Sequence, residues 1–176
     1  FGWIKKLPWS NPSVAAQLLG GLLFFSAGIT GIINASGSLN LVIHNTAWMP
    51  AHFHGTVASV TTLGLMGISF WLIPHLLNKD LSLPKVALAS SWTWFGGMLV
   101  FMTGMYWLGL LGVPRRVPLA TATYAQPSWD IPGIITAIGG GILFIGAILY
   151  FVSILSTVFS KQKAVAVPEV PVAEAE

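Results

Sequence analysis

The chain has 176 residues, 55% hydrophobic and only 7% charged, where a soluble domain carries about 25% charged residues. That balance excludes an ordinary water-soluble globule and places the chain in lipid. The lack of cysteine excludes disulfides, thiolate zinc sites, cysteine-bound iron–sulfur clusters and a cysteine-ligated copper centre within these residues. The formal net charge of +3 does not read as nucleic-acid binding, because the basic residues fall at the borders of apolar stretches.

Residues 1–12 form the first expected element, a cytoplasmic loop. Lys5 and Lys6 are followed by Leu7-Pro8-Trp9-Ser10 rather than by a long apolar core, so no signal peptide is read here. The opening at Phe1 suggests a piece of a larger polypeptide or a processed product.

A membrane-spanning helix needs about 20 mostly apolar residues. Four stretches qualify, at about 13–36, 47–77, 85–111 and 131–159. The expected fold is therefore all-α, a four-helix transmembrane portion over 13–160. Pro12 and Pro84 sit at helix starts, where the missing N–H costs nothing. Pro50 and Pro74 lie in the second stretch and are expected to bend it. Residues 161–176, short and containing Pro and Glu, read as a flexible cytoplasmic tail.

Alternation of four spans puts Lys5, Lys6, Lys79, Lys85, Lys161 and Lys163 on one side, cytoplasmic by the positive-inside bias. Arg115 and Arg116 fall on the other side, which normally avoids positive charge. Guanidinium forks match carboxylates and phosphates, so the pair reads either as an anion clamp or as an interfacial pair on lipid headgroups. Glycines at 20, 21, 28, 31, 96, 97, 104 and 139–141 read as helix packing. Trp3, Trp9, Trp71, Trp107 and Trp129 read as an aromatic belt.

The most informative segment is His44-Asn-Thr-Ala-Trp-Met-Pro-Ala-His52-Phe53-His54-Gly, which holds three of the four histidines. His52 and His54 fall within the second span. A helix advances about 100° per residue, so the two imidazoles lie roughly 200° apart, on opposite faces. That suits two large cofactors on either side of one helix better than one metal ion, and haem iron takes axial histidine. The bland alternative is a pair of hydrogen-bonded interior histidines. His75, beside Pro74 at the end of the span, reads as interfacial. Thr56, Ser59, Thr61 and Thr62 read as a polar path or as hydroxyls bonded back to their own helix.

The string from His44 to Gly55, taken with Val113-Pro114-Arg115-Arg116, resembles the catalytic subunit I of haem-copper oxygen reductases (cytochrome c oxidases), in the B-type, cytochrome ba-like branch. Phe1 to Ile4, Leu7 to Trp9, Ile33 to Ser36, Pro74, Trp92 to Trp94 and Gly109 to Leu111 carry the same likeness. The resemblance covers about residues 1–163 and matches the later helices of that subunit, so the four spans would form part of a larger subunit I helix bundle. It implies that His52 is the proximal ligand of a high-spin, a-type haem and the catalytic residue. It implies that His54 is an axial ligand of a low-spin, b-type haem, with Phe53 between the two. Arg115 and Arg116 would bind haem propionates, and His44 would lie near a propionate of the high-spin haem. Asn45 stands where another branch is often acidic, which speaks against a magnesium site. Asn40 stands where a close relative would carry a carboxylate, which speaks against a carboxylate–histidine proton store.

The resemblance also sets a ligand count. The family's low-spin haem takes a second histidine, and its copper takes histidines from the earlier helices of subunit I. The implied partners are the N-terminal part of subunit I, a subunit II with a binuclear copper centre, a cytochrome c-type electron donor and the lipid bilayer, with no nucleic acid. The implied activity is proton-pumping reduction of oxygen to water in the inner (plasma) membrane of a prokaryote. Three other readings compete: a nitric oxide reductase of the same superfamily, a di-haem b-type electron carrier, and a transporter or assembly protein with incidental histidines. The third leaves the Arg pair and the His-x-His without a role.

Overall fold

A computed structural model describes residues 2–117 and 122–161. After a 3-10 turn at Gly2–Lys6 come α1 (Pro12–Ala35) and a short α2 (Gly37–Ile43). Next are α3 (Trp48–Phe53), a wide π-helical turn (His54–Ala58) and α4 (Ser59–Leu76), which join into one span. Then follow α5 (Pro84–Leu110), a 3-10 turn (Pro127–Trp129) and α6 (Asp130–Val158). Four helices are long and apolar enough to cross a membrane, at Pro12–Ala35, Trp48–Leu76, Pro84–Leu110 and Pro127–Val158. Between 22% and 33% of the apolar window of each is buried within the chain. Most of each helix thus turns apolar surface outward, to be covered by lipid or by other polypeptide.

Local chemistry sets the helix ends. The Asn11 side chain accepts from the N–H groups of Ser13 (3.0 Å) and Val14 (3.2 Å), capping α1 just before Pro12. Pro84 opens α5 in the same way. At the far end of α6, Lys79 Nζ donates to the carbonyls of Val158 (3.1 Å) and Ser160 (2.7 Å), a cation on a helix C-terminus. The Ser82 N–H donates to Thr157 Oγ1 at 3.1 Å. These bonds gather the α4–α5 loop and the end of α6 at one end of the bundle. Gly67 packs on Ser13 and brings the start of α1 to that end too. Lys5, Lys6, Lys79, Lys85 and Lys161 therefore share one end, while Arg115 and Arg116 stand at the other. Lys163, and the rest of the tail from 162 to 176, lie outside the described residues.

The core joins Leu19 and Leu23 of α1 to Leu63, Met66 and Phe70 of α4 and to Met98 and Met102 of α5. The most extensive helix pair is α5 with α6. Its seam is made of small residues: Gly97 beneath Ile142, Gly104 against Pro132 and Thr136, Gly139 against Phe101. Not every glycine serves packing. A Cβ added at Gly21, Gly28, Gly96 or Gly141 would meet nothing within 4 Å, and Gly31 faces an imidazole instead.

Three features depart from the reading of the sequence. The helical ladder of the second span changes at the wide turn His54–Ala58, where the Ser59 N–H bonds the carbonyl five residues back, rather than at a proline. Pro50 falls in the first turn of α3, and Pro74 is buried near the end of α4. Trp129 is no belt residue: it is buried in a small cluster with Ala47, Leu108 and Val113.

Candidate functional site

His52 and His54 flank Phe53 across the end of α3 and the start of the wide turn. Phe53 and His54 keep right-handed helical dihedrals, so the imidazoles diverge as helical spacing requires. The His52 ring meets α1. Its Nδ1 lies 2.9 Å from Thr30 Oγ1, and Gly31 lets the ring lie close, since a Cβ there would sit 3.2 Å from Cε1. The His54 ring meets α5 instead, tilted against Phe101 with centroids 5.0 Å apart. Its Nδ1 lies 2.6 Å from the Pro50 carbonyl, one turn back on its own helix.

Proton counting fixes both tautomers. A carbonyl only accepts, so His54 must carry a proton on Nδ1, and in the neutral ring Nε2 is left with a free lone pair. Thr30 has one proton and two lone pairs, and it makes three contacts: Ala27 carbonyl (2.7 Å), His52 Nδ1 and Tyr106 hydroxyl (2.9 Å). The Ala27 carbonyl can take only the Thr30 proton, so His52 Nδ1–H and the Tyr106 hydroxyl both donate to Thr30. His52 Nε2 is then also a free lone pair. An imidazole whose Nδ1 is held by a hydrogen bond and whose Nε2 is open is the form that binds a metal. Histidine, Asp and Glu do not gather in groups of three among the described residues. Each imidazole thus offers a single donor nitrogen.

Back-bonding accounts for two of the hydroxyls near the pair. Thr56 Oγ1 donates to the His52 carbonyl at 3.0 Å, and Ser59 Oγ donates to the His54 carbonyl. The second bond closes the wide turn alongside the backbone bond from Ser59. Gly55, inside that turn, lets two neighbours approach: a Cβ there would stand 2.7 Å from Ala27 Cβ and 3.0 Å from Met102 Sδ. Wide turns of this kind recur at functional sites. Phe53 is half exposed, beside His52 at 5.8 Å between ring centroids.

The histidine loop and the arginine loop are zipped together. Ala47 N–H donates to Val113 O (2.8 Å), Arg115 N–H donates to Asn45 O (2.8 Å), and Thr46 and Pro114 form an antiparallel bridge. Asn45 (φ 62°) and Arg116 (φ 65°) adopt the left-handed conformation on either side of this bridge. Asn tolerates it; for Arg it is uncommon and marks a constrained turn. His44 caps the end of α2 and is exposed, as are Arg115 and Arg116. A cavity of about 140 Å³ lies between Pro50, Val113, Thr136 and the arginine pair. His75, at the other end of the span, stacks on Trp71 at 5.3 Å and 9°, an exposed pair at the helix end. Asn40 Oδ1 is buried and finds no partner among the described residues.

Sequence reasoning passed over Thr30, Tyr106 and the Pro50 carbonyl. The last had a signal, being four residues before His54 on a helix. The other two had none, because Thr30 is 22 residues from His52 and 76 from Tyr106.

A bundle of apolar helices, one span of which presents two diverging imidazoles near a loop with paired arginines, defines a multi-pass membrane protein. The chain belongs to the cytochrome c and quinol oxidase polypeptide I family, whose family model matches residues 1–142. It is similar to a cytochrome c oxidase subunit 1 of Thermus thermophilus, 41% identical over 178 aligned residues covering 100% of this chain and 32% of that protein. A second Thermus thermophilus sequence of the same name is 47% identical over 108 residues, 60% of this chain and 100% of its own length. Subunit 1 of a cytochrome bo(3) ubiquinol oxidase from Buchnera aphidicola is 27% identical over 163 residues, 90% of this chain and 24% of that one. Among solved structures, a heme-copper terminal oxidase dimer determined by cryo-EM superposes with a TM-score of 0.78 at 31% identity, over 88% of this chain and 28% of that chain. The chain spans about a third of the length of the first of these relatives.

Proposed function

We propose that the chain supplies later membrane helices of the catalytic subunit of a proton-pumping terminal oxidase that reduces oxygen to water, in the B-type, cytochrome ba-like branch. The observation that carries this reading is the pair of imidazoles with Nδ1 engaged and Nε2 open on diverging faces of one span. His52 is the proximal ligand of the high-spin haem, and His54 is one axial ligand of the low-spin haem. Phe53 lies between them. Arg115 and Arg116 take haem propionates on the outer side, and His44 stands near a propionate of the high-spin haem. The zipped loops support that grouping, because they hold the chain around Asn45 against the chain around Arg115.

The residues present fit such groups. Free Nε2 lone pairs suit iron, and exposed guanidinium forks beside a 140 Å³ cavity suit carboxylates. When bound, the haems and a copper held by the earlier helices of subunit I supply the redox chemistry. This chain's own residues orient two imidazoles and fix their tautomers. The high-spin haem is a-type and the low-spin haem b-type in this reading. The N-terminal part of subunit I, a subunit II with a binuclear copper centre and a cytochrome c-type donor complete the assembly. It sits in a prokaryotic inner membrane, with the lysine-bearing end cytoplasmic, so that both ends of this piece face the cytoplasm.

A carbon monoxide difference spectrum of the reduced native complex tests the assignment. A response typical of five-coordinate haem, lost in His52→Ala, is the expected result. Haem present with no response means that protein ligands saturate both irons, and the di-haem electron carrier then replaces the oxidase.

A further inference from the structure

We propose that Thr30 and Tyr106 are positioning residues that set the strength with which His52 binds iron, Thr30 strengthening that bond and Tyr106 restraining it. This rests on the assignment of His52 as the proximal ligand. It goes beyond that assignment because it names what tunes the ligand, from helices that hold no ligand themselves.

The geometry is a saturated three-contact centre. Thr30 Oγ1 donates its one proton to the Ala27 carbonyl at 2.7 Å. Its two lone pairs accept from His52 Nδ1–H and from the Tyr106 hydroxyl, each at 2.9 Å. Donation from a hydroxyl polarises its oxygen and makes it a better acceptor. The Ala27 bond therefore strengthens the pull of Thr30 on the His52 Nδ1 proton. A stronger pull leaves more electron density on the ring, and a ligating histidine becomes more basic at Nε2. Tyr106 acts against this. Its hydroxyl draws on the same oxygen and so weakens the share given to His52.

Tyr106 is held for the task. Its ring packs on Trp48 with centroids 4.6 Å apart, and Trp48 is buried at the start of α3, next to Ala47 in the zipped loop. Three separate elements thus fix one proton: α1 supplies the acceptor, α5 the competing donor, and α3 the packing. His54 has no such centre, since its Nδ1 partner is a backbone carbonyl that no side-chain substitution removes.

The opposing signs make the test. Thr30→Val keeps the shape and removes the acceptor, Thr30→Ser keeps the acceptor, and Tyr106→Phe removes only the competing donor. Resonance Raman spectra of the reduced, assembled complex report the iron–histidine stretching band of the five-coordinate haem. Thr30→Val moves the band to lower wavenumber, Thr30→Ser leaves it near the wild-type position, and Tyr106→Phe moves it to higher wavenumber by a smaller step. If Thr30→Val fails to assemble, an upward shift in Tyr106→Phe still supports the proposal, and an unmoved or lowered band overturns it. A wild-type band that disappears in His52→Ala but does not respond to Thr30→Val or Tyr106→Phe overturns this inference alone. A wild-type complex without such a band overturns the haem assignment of His52, and this inference with it.

Discussion

The two imidazoles of the second span are two residues apart and are held by different physics. His54 is oriented locally: its Nδ1 partner is the Pro50 carbonyl, and Ser59 ties its own carbonyl across the wide turn. His52 is oriented from a distance, by Thr30 of α1 and, through Thr30, by Tyr106 of α5. A backbone partner gives a fixed setting. A side-chain partner gives a setting that substitution can change in either direction. The same helix thus carries one imidazole whose Nδ1 partner is backbone and one whose Nδ1 partner is a side chain.

The largest effects fall on the imidazoles themselves. His52→Ala should abolish the carbon monoxide response of the reduced complex while the low-spin haem band persists. His54→Ala should do the reverse, removing or displacing the low-spin band and sparing the carbon monoxide response. Optical spectra of the two purified complexes check this. Loss of both signals in both variants would mean that the imidazoles share one site, and the division between two faces would fail.

Next in size is a substitution that reaches His54 from outside. Gly139 of α6 lies against Phe101, and Phe101 lies against the His54 ring. A Cβ at Gly139 would stand 2.8 Å from Phe101 Cβ and closer still to its backbone, so something must shift. Overpacking of this kind costs about 1–3 kcal/mol. Gly139→Leu should lower the yield of assembled complex and perturb the low-spin band more than the high-spin one. Equal perturbation of both bands would show that α6 does not discriminate between the two imidazoles.

A smaller effect is expected from Ser59→Ala. It removes the bond from Ser59 Oγ to the His54 carbonyl but leaves the backbone bond that closes the wide turn. Losing one such hydrogen bond costs about 1 kcal/mol. The thermal midpoint of the complex should fall slightly, with a small shift of the low-spin band and an unchanged carbon monoxide response. A shift confined to the carbon monoxide response would mean that the turn serves His52 instead.

The difference between the two imidazoles also marks how far the sequence could be read. The four spans were legible because about 20 apolar residues in lipid have almost no alternative to a helix. Asn11-Pro12 and Pro84 announced helix starts through capping and ring geometry. The divergence of the imidazoles followed from helical spacing. The surroundings of His52 were not legible, because a threonine that bonds another helix and one that bonds only its own helix look alike in sequence. Thr30 does both. Trp129 read as a belt residue from its position near a span border, yet packing against Ala47, Leu108 and Val113 buries it. The wide turn had no local signature beyond Gly55, whose space is taken up by Ala27 and Met102 from two other helices. The arginine and histidine loops each stood out in the sequence, but their pairing through Thr46 and Pro114 spans more than sixty residues and is a tertiary fact.

The smallest predicted effect is the sharpest check on the contrast. Pro50→Ala changes the residue that holds His54 without changing the group that does the holding, because the acceptor is the main-chain carbonyl. Position 50 lies in the first turn of α3, where proline removes no necessary donor and alanine is a good helix former. The carbonyl should stay where it is, the Nδ1 proton should stay on His54, and the low-spin band should keep its wild-type position. Thr30→Val, which removes its acceptor outright, should move the signal of His52 under the same conditions. A low-spin band displaced by Pro50→Ala as far as the His52 signal is displaced by Thr30→Val would sink the distinction between an imidazole held by the backbone and one held by a side chain.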